Sequence, residues 1–283
     1  MWSKSFEYTR VASVQEAINI VAQNSNAKIL AGGHSLLPAL KLRLNESALL
    51  VDIGRVNGLK GITANGVLKI GSLTTHDEVA ASAAVRSTAP ALAQAAGKIG
   101  DQAVRNFGTI GGNIAHADPA SDPPTVLTAY DATIHLHGTG GARTVKAGDF
   151  FIDLFSTDLK ADELVTAVEI AGVSGAKSAY VKLSHPASRY AVVGVCVVLQ
   201  VSGGVCQSAR VAVGGATVKA VRSPGAEAAL TGSTLNSSAL DAAANAITGD
   251  ITDYLTGDMT FPQDYRQAMT GIYLRRAVQQ ALA

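Results

Sequence analysis

Two short glycine runs hold the residues of this chain that are best suited to binding a ligand. The first is Ala31-Gly32-Gly33-His34-Ser35, and the second, further along the chain, is Thr109-Ile110-Gly111-Gly112-Asn113. Because glycine has no Cβ atom, the backbone of such a run can approach a diphosphate closely and line the anion with N–H groups. Two runs in one chain predict a single dinucleotide held from both sides.

Neither run matches the common nucleotide-binding motifs. The first lacks the Lys-Ser/Thr ending of a P-loop, and with it a phosphoryl-transfer lysine. It also lacks the third glycine of a Rossmann fingerprint, and no acidic residue stands in the expected ribose-binding strand context. A plainer interpretation, a tight turn between a strand and a helix, stays open for either run taken alone. The polar segment Asp118–Asp122, which follows the second run, favours ligand binding.

The elements that position the first run form a small α/β lobe over about residues 1–55. Apolar residues at helical spacing predict a helix over Val14–Gln23, with Ser13 as its N-cap. Short buried strands are predicted at 28–31 and 49–53. The earlier of these strands leads directly into the first glycine run.

A second lobe, over about residues 56–174, is predicted around the second run. Its strands are expected at 67–71, 132–136 and 164–170, and its helices at 89–99 and from Asp122 to about Tyr130. Proline in the first turn supports the helix that begins near Asp122.

A small-residue linker at 172–176 predicts a domain boundary, and a C-terminal domain is expected over 177–283. The Gly203-Gly204 pair, between two β-branched runs, predicts a hairpin and therefore an antiparallel sheet. The strands are expected at 179–183, 192–201 and 205–213, and the closing helices at 224–230, 238–247 and 262–282. The fold class is predicted as α+β.

Composition favours a compact chain with an apolar core. Of the 283 residues, 47% are hydrophobic and 16% are charged, and the formal net charge is +1. No basic stripe appears, so nucleic acid is not an expected partner. No apolar run reaches the roughly 20 residues of a membrane helix, and the N-terminus lacks the apolar core of a signal peptide. A cytoplasmic location is expected.

The cysteines and histidines do not indicate a metal centre or a nucleophile. Cys196 and Cys206 lie on valine-rich stretches of expected strands, which favours buried reduced thiols over a disulfide. His135 and His137 alternate on one strand without a nearby carboxylate or third ligand. No Gly-x-Ser-x-Gly elbow is present. His34 fits a backbone-positioning role better than a catalytic one, so neither a metal ligand nor a catalytic residue is predicted.

Three motifs carry a resemblance to a known family. They are Ala31–Pro38, Arg105–Asn113 and Ala117–Asp122, and the stretch Leu-Arg-Arg-Ala at 274–277 extends the likeness over nearly the whole chain. Together they resemble the FAD-binding subunit of molybdenum hydroxylases, the medium subunit of carbon monoxide dehydrogenase and its relatives, which is similar to the flavin domain of xanthine dehydrogenase. The resemblance implies a two-lobed α/β FAD-binding domain of the vanillyl-alcohol-oxidase-like (PCMH) type over 1–174, followed by the C-terminal domain.

The resemblance also implies which residues contact FAD. The first run would wrap the diphosphate and the adenosine side, and the second run would be a further diphosphate clamp that also approaches the flavin edge. The implied contacts are Ile29, Leu30, Ala31, Gly32, Gly33, His34, Ser35, Leu36, Ile99, Thr109, Ile110, Gly111, Gly112, Asn113, Asp122, Leu164, Lys182 and Tyr190.

Five of these contacts lie outside the glycine runs. Ile99 and Leu164 would make apolar contacts, the latter near the adenine, and Asp122 would hold polar groups of the cofactor chain. Lys182 and Tyr190 would lie beside the isoalloxazine ring, where Tyr190 can cover a ring face and a cation would stabilise the reduced flavin. From the residues alone, Asp122 is also open to a role as a helix cap, Lys182 as a solvated strand lysine, and Tyr190 as a core residue.

The resemblance implies an electron-transfer role within a larger enzyme. A large subunit would hold the molybdenum cofactor and a small subunit two [2Fe-2S] clusters, in a dimer of heterotrimers. Electrons from the clusters would pass through noncovalent FAD to a quinone, NAD or oxygen, while the substrate (carbon monoxide, an aldehyde, a purine or an N-heteroaromatic) stays open. A stand-alone FAD oxidase and a noncatalytic flavin-binding module are the alternatives. A Cβ atom at Gly32 or Gly111 is expected to intrude on the diphosphate, so valine there should leave the fold intact and weaken FAD binding.

Overall fold

The computed structural model describes residues 2–172 and 175–283. Over these ranges the chain combines sheets of three, five and four strands and a two-stranded hairpin with the helices that cover them. The predicted α+β class is confirmed. Val173 and Ser174, in the middle of the predicted linker, lie outside the described residues.

The first lobe is a parallel sheet with a helix packed against it. In chain order its elements are β1 (Glu7–Arg10), α1 (Val14–Gln23), β2 (Ala27–Leu30), α2 (Leu36–Lys41) and β3 (Leu49–Asp52). The sheet order is β1-β3-β2, and both pairs are parallel. Ser13 caps α1 as predicted, because its side chain accepts a hydrogen bond from the backbone N–H of Glu16. The first glycine run follows β2 and lies at the carboxyl edge of this sheet.

The second lobe is an antiparallel sheet flanked by short helices. Its strands are β4 (Ile62–Asn65), β5 (Val67–Gly71), β6 (Thr133–Gly138), β7 (Gly141–Lys146), the hairpin strands β8 (Phe151–Asp153) and β9 (Ser156–Thr157), and β10 (Leu164–Ala171). Its helices are α3 (His76–Ala81), α4 (Ala83–Thr88), α5 (Pro90–Gly97), α6 (Gln102–Phe107), α7 (Ile110–His116), α8 (Asp122–Ala129) and α9 (Ala147–Phe150). The five-stranded sheet has the order β4-β5-β10-β6-β7, so β10 lies at its centre.

The C-terminal domain is the predicted antiparallel sheet covered by helices. Its elements are β11 (Lys177–Ser184), β12 (Ala191–Ser202), β13 (Val205–Gly214), β14 (Val221–Arg222), α10 (Pro224–Leu230), α11 (Ser237–Asp250), a 3-10 turn (Thr252–Tyr254) and α12 (Gln263–Leu282). The strand order is β11-β12-β13-β14. Gly203 and Gly204 turn the predicted hairpin, with φ values of +58° and +78°. Glycine adopts this left-handed conformation without steric cost.

The C-terminal sheet is buried on both faces. Tyr180 and Cys196 belong to the apolar core of the second lobe, whereas Val195 and Val197 pack in a separate core with α10, α11 and α12. This division follows from the alternation of side chains along a strand. Cys196 and Cys206 are buried free thiols, as predicted. None of the helices in the described ranges has the length and hydropathy needed to cross a membrane.

Candidate functional site

The two glycine runs pack against each other beside the first lobe. Gly32 lies directly on the carbonyl group of Phe107, so a Cβ atom built at Gly32 would overlap that oxygen. Ala31 lies beside Gly112, with 3.7 Å between the Ala31 Cβ and a Cβ built on the glycine. The structure thus brings both runs together in one arrangement, called the cradle below and formed by residues 31–35 and 107–113.

The first run carries unpaired backbone donors. Within residues 2–172 and 175–283, no protein group accepts a hydrogen bond from the N–H groups of Gly32, Gly33, His34 or Ser35. The chain turns through Gly33, whose φ of +73° lies in the left-handed region that favours glycine. Successive unpaired N–H groups in such a turn form a concavity that binds anions. The first run therefore has the donors that a diphosphate requires.

The second run forms the first turn of helix α7, where no helix was predicted. Thr109 caps this helix, because its Oγ1 accepts a hydrogen bond from the N–H of Gly112 at 3.2 Å. The N–H of Gly111 donates to the carbonyl of Ser72 at 2.9 Å. The N–H of Ile110 donates to the carbonyl of Thr74 at 3.0 Å. The N–H groups of Ile110, Gly111 and Gly112 are therefore satisfied within the protein, and the second run supplies a wall of the cradle.

The reason for glycine at two cradle positions also differs from the expectation. A Cβ atom at Gly32 would meet the backbone of Phe107, and one at Gly111 would overlap Ser72. Valine at either position would force these protein segments apart before it reached a ligand. The expectation that both valine variants keep an intact fold is corrected accordingly.

Two buried polar atoms near the second run have no hydrogen-bond partner among the described residues. They are Oδ1 of Asn113 and Oγ of Ser72. The Nδ2 group of Asn113 donates to the Oγ of Ser121 at 2.7 Å, which holds the side chain in place. A buried acceptor without a donor is costly, and native proteins rarely leave one unpaired. The hydroxyl groups of a dinucleotide are donors of the kind that Asn113 lacks.

Aromatic side chains line one side of the cradle. The rings of His34 and Phe107 stack, with centroids 5.4 Å apart and an interplanar angle of 11°. Nδ1 of His34 lies 2.9 Å from the carbonyl oxygen of Gly32, which fixes the ring orientation. Burial, together with the charge of His34, lowers the pKa of His76 to about 4. His76 is therefore neutral near pH 7, and its backbone N–H donates to the carbonyl of Gly108.

The C-terminal domain reaches the cradle through Tyr190. Its phenol lies close to the Ser35 side chain. Burial and the charges of Asp118 and Asp122 raise the pKa of Tyr190, so its hydroxyl stays protonated. The residue is 42% exposed. A half-exposed aromatic ring at the mouth of the cradle suits stacking on a planar ligand.

Asp122 and Lys182, both implied cofactor contacts, form an ion pair with each other. Nζ of Lys182 lies 2.8 Å from Oδ2 of Asp122, and Oη of Tyr180 donates to Oδ1 of the same carboxylate. Asp122 is the first residue of α8, but its carboxylate is directed to the C-terminal sheet. Lys182 is not the solvated strand lysine that the sequence alone left open, because its side chain is 2% exposed.

The other implied contacts are distributed around the cradle. The carbonyl of Ile99 accepts a hydrogen bond from Arg105, which ties it to α6 just before the second run. Ile29 and Leu30 are half-buried on β2, and Leu36 is half-buried at the start of α2. Leu164 is 3% exposed in the core beneath the first lobe, so little of its surface is free for a ligand.

Sequence reasoning missed several residues of the site. Phe107 stacks on His34, Ser72 supports Gly111, and Tyr180 completes the carboxylate network, yet none was singled out. An aromatic residue two positions before the second run was a usable signal for Phe107. Tyr180 lies two residues before Lys182 on one strand face, but only the fold shows that this face meets Asp122.

The sequence matches two family profiles that together span most of the chain. The profile described as FAD binding domain in molybdopterin dehydrogenase matches residues 4–171, and the one described as CO dehydrogenase flavoprotein C-terminal domain matches residues 178–281. The chain belongs to the FAD-binding subunit family of molybdenum hydroxylases. It is accordingly an FAD-binding oxidoreductase component, as the motifs implied.

Curated relatives and solved structures agree with this membership. The chain is 38% identical over 268 residues to the glyceraldehyde dehydrogenase medium chain of Sulfolobus acidocaldarius, covering 94% of this chain and 92% of that one. It is also 38% identical over 283 residues to the carbon monoxide dehydrogenase medium chain of Hydrogenophaga pseudoflava, covering 98% and 97%. A solved chain of carbon monoxide dehydrogenase from Hydrogenophaga pseudoflava has a TM-score of 0.95 at 38% identity, covering 100% of this chain and 99% of that one.

The residues of the cradle fit FAD on physical grounds. The unpaired N–H groups of the first run suit its diphosphate, and the unpaired Oδ1 of Asn113 suits one of its hydroxyl groups. Tyr190 provides an aromatic face for its ring system. These three features lie on three separate parts of the chain.

Proposed function

We propose that this chain is the electron-transfer subunit of a heterotrimeric molybdenum hydroxylase. In this role it receives electrons from [2Fe-2S] clusters on a small subunit, while a large subunit with the molybdenum cofactor oxidises the substrate. Bound FAD supplies the redox chemistry that links these clusters to an external electron acceptor. The chain itself binds and orients the cofactor.

The observation that carries this proposal is the row of unpaired N–H groups at Gly32–Ser35 opposite the wall formed by α7. It supports a diphosphate site in a chain whose family binds FAD over residues 4–171. Medium chains of glyceraldehyde dehydrogenase and of carbon monoxide dehydrogenase share nearly the full length of this one. A medium chain implies a larger and a smaller partner.

The roles of the cradle residues follow from their chemistry. The N–H groups of Gly33, His34 and Ser35 would hold the diphosphate, and Oδ1 of Asn113 would accept a hydrogen bond from a cofactor hydroxyl. Tyr190 would cover one face of the isoalloxazine ring and exclude water from it. The neutral Tyr190 hydroxyl lies near Ser35. One FAD molecule would therefore contact both the Tyr190 ring and the N–H groups of the first run.

The substrate of the assembled enzyme stays open between carbon monoxide, an aldehyde, a purine and an N-heteroaromatic. The glyceraldehyde and the carbon monoxide dehydrogenase relatives are both 38% identical to this chain, so identity does not separate the substrates. The substrate-selecting pocket would lie on the large subunit. The assembled enzyme would be a dimer of heterotrimers, and the electron acceptor would be a quinone, NAD or oxygen.

The experiment that tests this function compares the complex with the separated chain. The chain is purified alone and with its two co-expressed partners, and reduction of an acceptor dye by the substrate is measured. We expect FAD on this chain, dye reduction by the complex, its loss when the chain is removed, and its return when the chain is added back. Oxidation of an organic substrate by the chain alone would instead make it an oxidase. FAD binding without any restored electron transfer would make it a noncatalytic module.

A further inference from the structure

A buried ion pair joins the FAD-binding domain to the C-terminal sheet. It consists of Asp122 at the start of α8 and Lys182 on β11, whose side chains are 5% and 2% exposed. Tyr180, two residues before Lys182 on the same face of β11, donates to the second carboxylate oxygen. Burial raises the pKa of Asp122, and the charge of Lys182 and the hydrogen bonds of Lys182 and Tyr180 oppose that rise. The carboxylate is thus matched by partners from the other domain.

The donors of Lys182 are all used within the protein. Besides Asp122, its Nζ donates to the carbonyl of Lys98 at 3.1 Å and to the carbonyl of Arg189 at 2.7 Å. An ammonium group has three N–H donors, and each has an acceptor here. Both oxygens of Asp122 are likewise occupied, by Lys182 and Tyr180. Lys182 therefore has no N–H donor left for the cofactor, and the Asp122 side chain is only 5% exposed.

The Arg189 carbonyl belongs to the loop between β11 and β12, residues 185–190, which ends in Tyr190. The loop is closed by a hydrogen bond from the His185 N–H to the Tyr190 carbonyl at 2.8 Å. Arg189 has a φ of +62°, a conformation that a residue other than glycine keeps only when its surroundings fix it. Two contacts fix it here, because its carbonyl accepts from Lys182 and its guanidinium donates to the carbonyl of Gly100 at 2.8 Å.

We propose that Asp122 and Lys182 are positioning residues: their buried pair holds loop 185–190 so that Tyr190 stands beside Ser35, and they act on FAD through this loop. This inference rests on the proposed function in that FAD is taken as the ligand of the cradle. The charge of Lys182 then does not contact the flavin ring. Lys182 affects FAD binding only through the position of the loop. Tyr190 is then the group that touches the cofactor.

A double-mutant cycle on the full chain tests this indirect action. The dissociation constant of FAD is measured by fluorescence titration for the wild type, Lys182→Met, Tyr190→Ala and the double variant. Each single substitution is expected to raise the dissociation constant by about tenfold or more. The double variant is expected to bind no more weakly than Lys182→Met alone, because the loop has already lost its anchor.

A matched control removes a different ion pair of the same domain. Arg222 on β14 pairs with Glu227 on α10, and its side chain is 31% exposed. Arg222→Met is expected to leave the FAD dissociation constant unchanged within about twofold and to add nothing to the effect of Tyr190→Ala. A loss of affinity in this control equal to that of Lys182→Met would assign both effects to general destabilisation and overturn the proposal.

The remaining outcomes also decide between explanations. Fully additive effects of Lys182→Met and Tyr190→Ala would mean that Lys182 contacts FAD directly. Unchanged FAD affinity of Lys182→Met together with a lowered melting temperature would mean that the pair only docks the domains. Either result overturns the proposal. If Lys182→Met does not fold, Asp122→Asn keeps the size of the buried side chain and removes the charge that holds Lys182, and an unchanged dissociation constant in that variant would overturn the proposal as well. A wild-type chain that takes up no FAD would contradict the proposed function itself.

Discussion

At the scale of single residues, the cradle depends on glycine because two backbone segments meet there. The Cα atom of Gly32 lies against the carbonyl of Phe107, and that of Gly111 lies against Ser72. The glycines therefore bring the two segments close enough to share a ligand. The sequence predicted that glycine is needed at these positions for close approach to a ligand. It could not show that the atoms next to each glycine belong to another segment of the chain.

Gly32→Ala is expected to destabilise the fold. Its methyl group would overlap the Phe107 carbonyl, and overpacking of this kind typically lowers the free energy of unfolding by about 1–3 kcal/mol. Urea unfolding of the full chain measures the effect. Gly140→Ala is the control, because nothing lies within 4 Å of a Cβ atom there. Equal stability of Gly32→Ala and the wild type would show that the two segments separate without cost.

His76 is expected to make stability depend on pH. The pKa of its imidazole is about 4 in the folded chain and 6.5 in an unfolded chain, so between these values the unfolded chain takes up the proton and the folded chain does not. Stability is therefore complete above pH 6.5 and falls as the pH drops towards 4, by about 2 kcal/mol between pH 7 and pH 5. Urea unfolding at the two pH values should show this loss in the wild type and in His137→Gln, and a smaller loss in His76→Gln. A loss of the same size in all three would contradict the assignment.

At the scale of elements, helix α7 shows where sequence patterns fail. A Gly-Gly pair is a poor helix former, and no helix was predicted at 109–113. Tertiary contacts override this preference, because the N–H groups of Ile110 and Gly111 find acceptors on Thr74 and Ser72. Helix α1 and strand β2 were predictable, since their apolar periodicity and cap are local. The packing of α7 on β10, and its hydrogen bonds to the segment after β5, are not local, so no periodicity could reveal them.

Thr109→Ala is expected to weaken the start of α7. It removes the oxygen that accepts from the Gly112 N–H, and loss of such a cap costs about 1 kcal/mol of stability. Chemical unfolding measures the loss, and Thr109→Ser, which keeps the hydroxyl, is expected to restore most of it. If Thr109→Ser were as unstable as Thr109→Ala, the methyl group rather than the cap would be responsible.

At the scale of the whole molecule, the C-terminal sheet serves two cores. Tyr180 and Cys196 complete the core of the second lobe, while Val195 and Val197 pack under the C-terminal helices. The β-branched runs predicted this sheet, and the hairpin at Gly203-Gly204 was correctly placed. The contact of Lys182 with Asp122 joins residues that are far apart in sequence, so their common location depended on the fold. The predicted boundaries at 174 and 177 stay predictions.

A chain truncated after residue 172 is expected to expose the core that Tyr180 and Cys196 cover. Large apolar surfaces of this kind promote association, so the fragment should bind a hydrophobic dye and aggregate. Dye fluorescence and size-exclusion chromatography of the fragment and the full chain measure the difference. A monomeric fragment that binds FAD as tightly as the full chain would show that the C-terminal domain, including Tyr190, is dispensable for the cradle.

The measurement that tests the central claim most directly is a comparison of FAD, FMN and riboflavin binding to the apo full chain. The ligands share the isoalloxazine ring but differ in their phosphate groups, and the cradle has its free N–H donors at Gly32–Ser35. Calorimetric titration is expected to show one FAD per chain, with FMN and riboflavin each weaker by at least about a hundredfold. Equal affinity for all three, or no uptake of FAD, would contradict the assignment of the glycine cradle to the diphosphate.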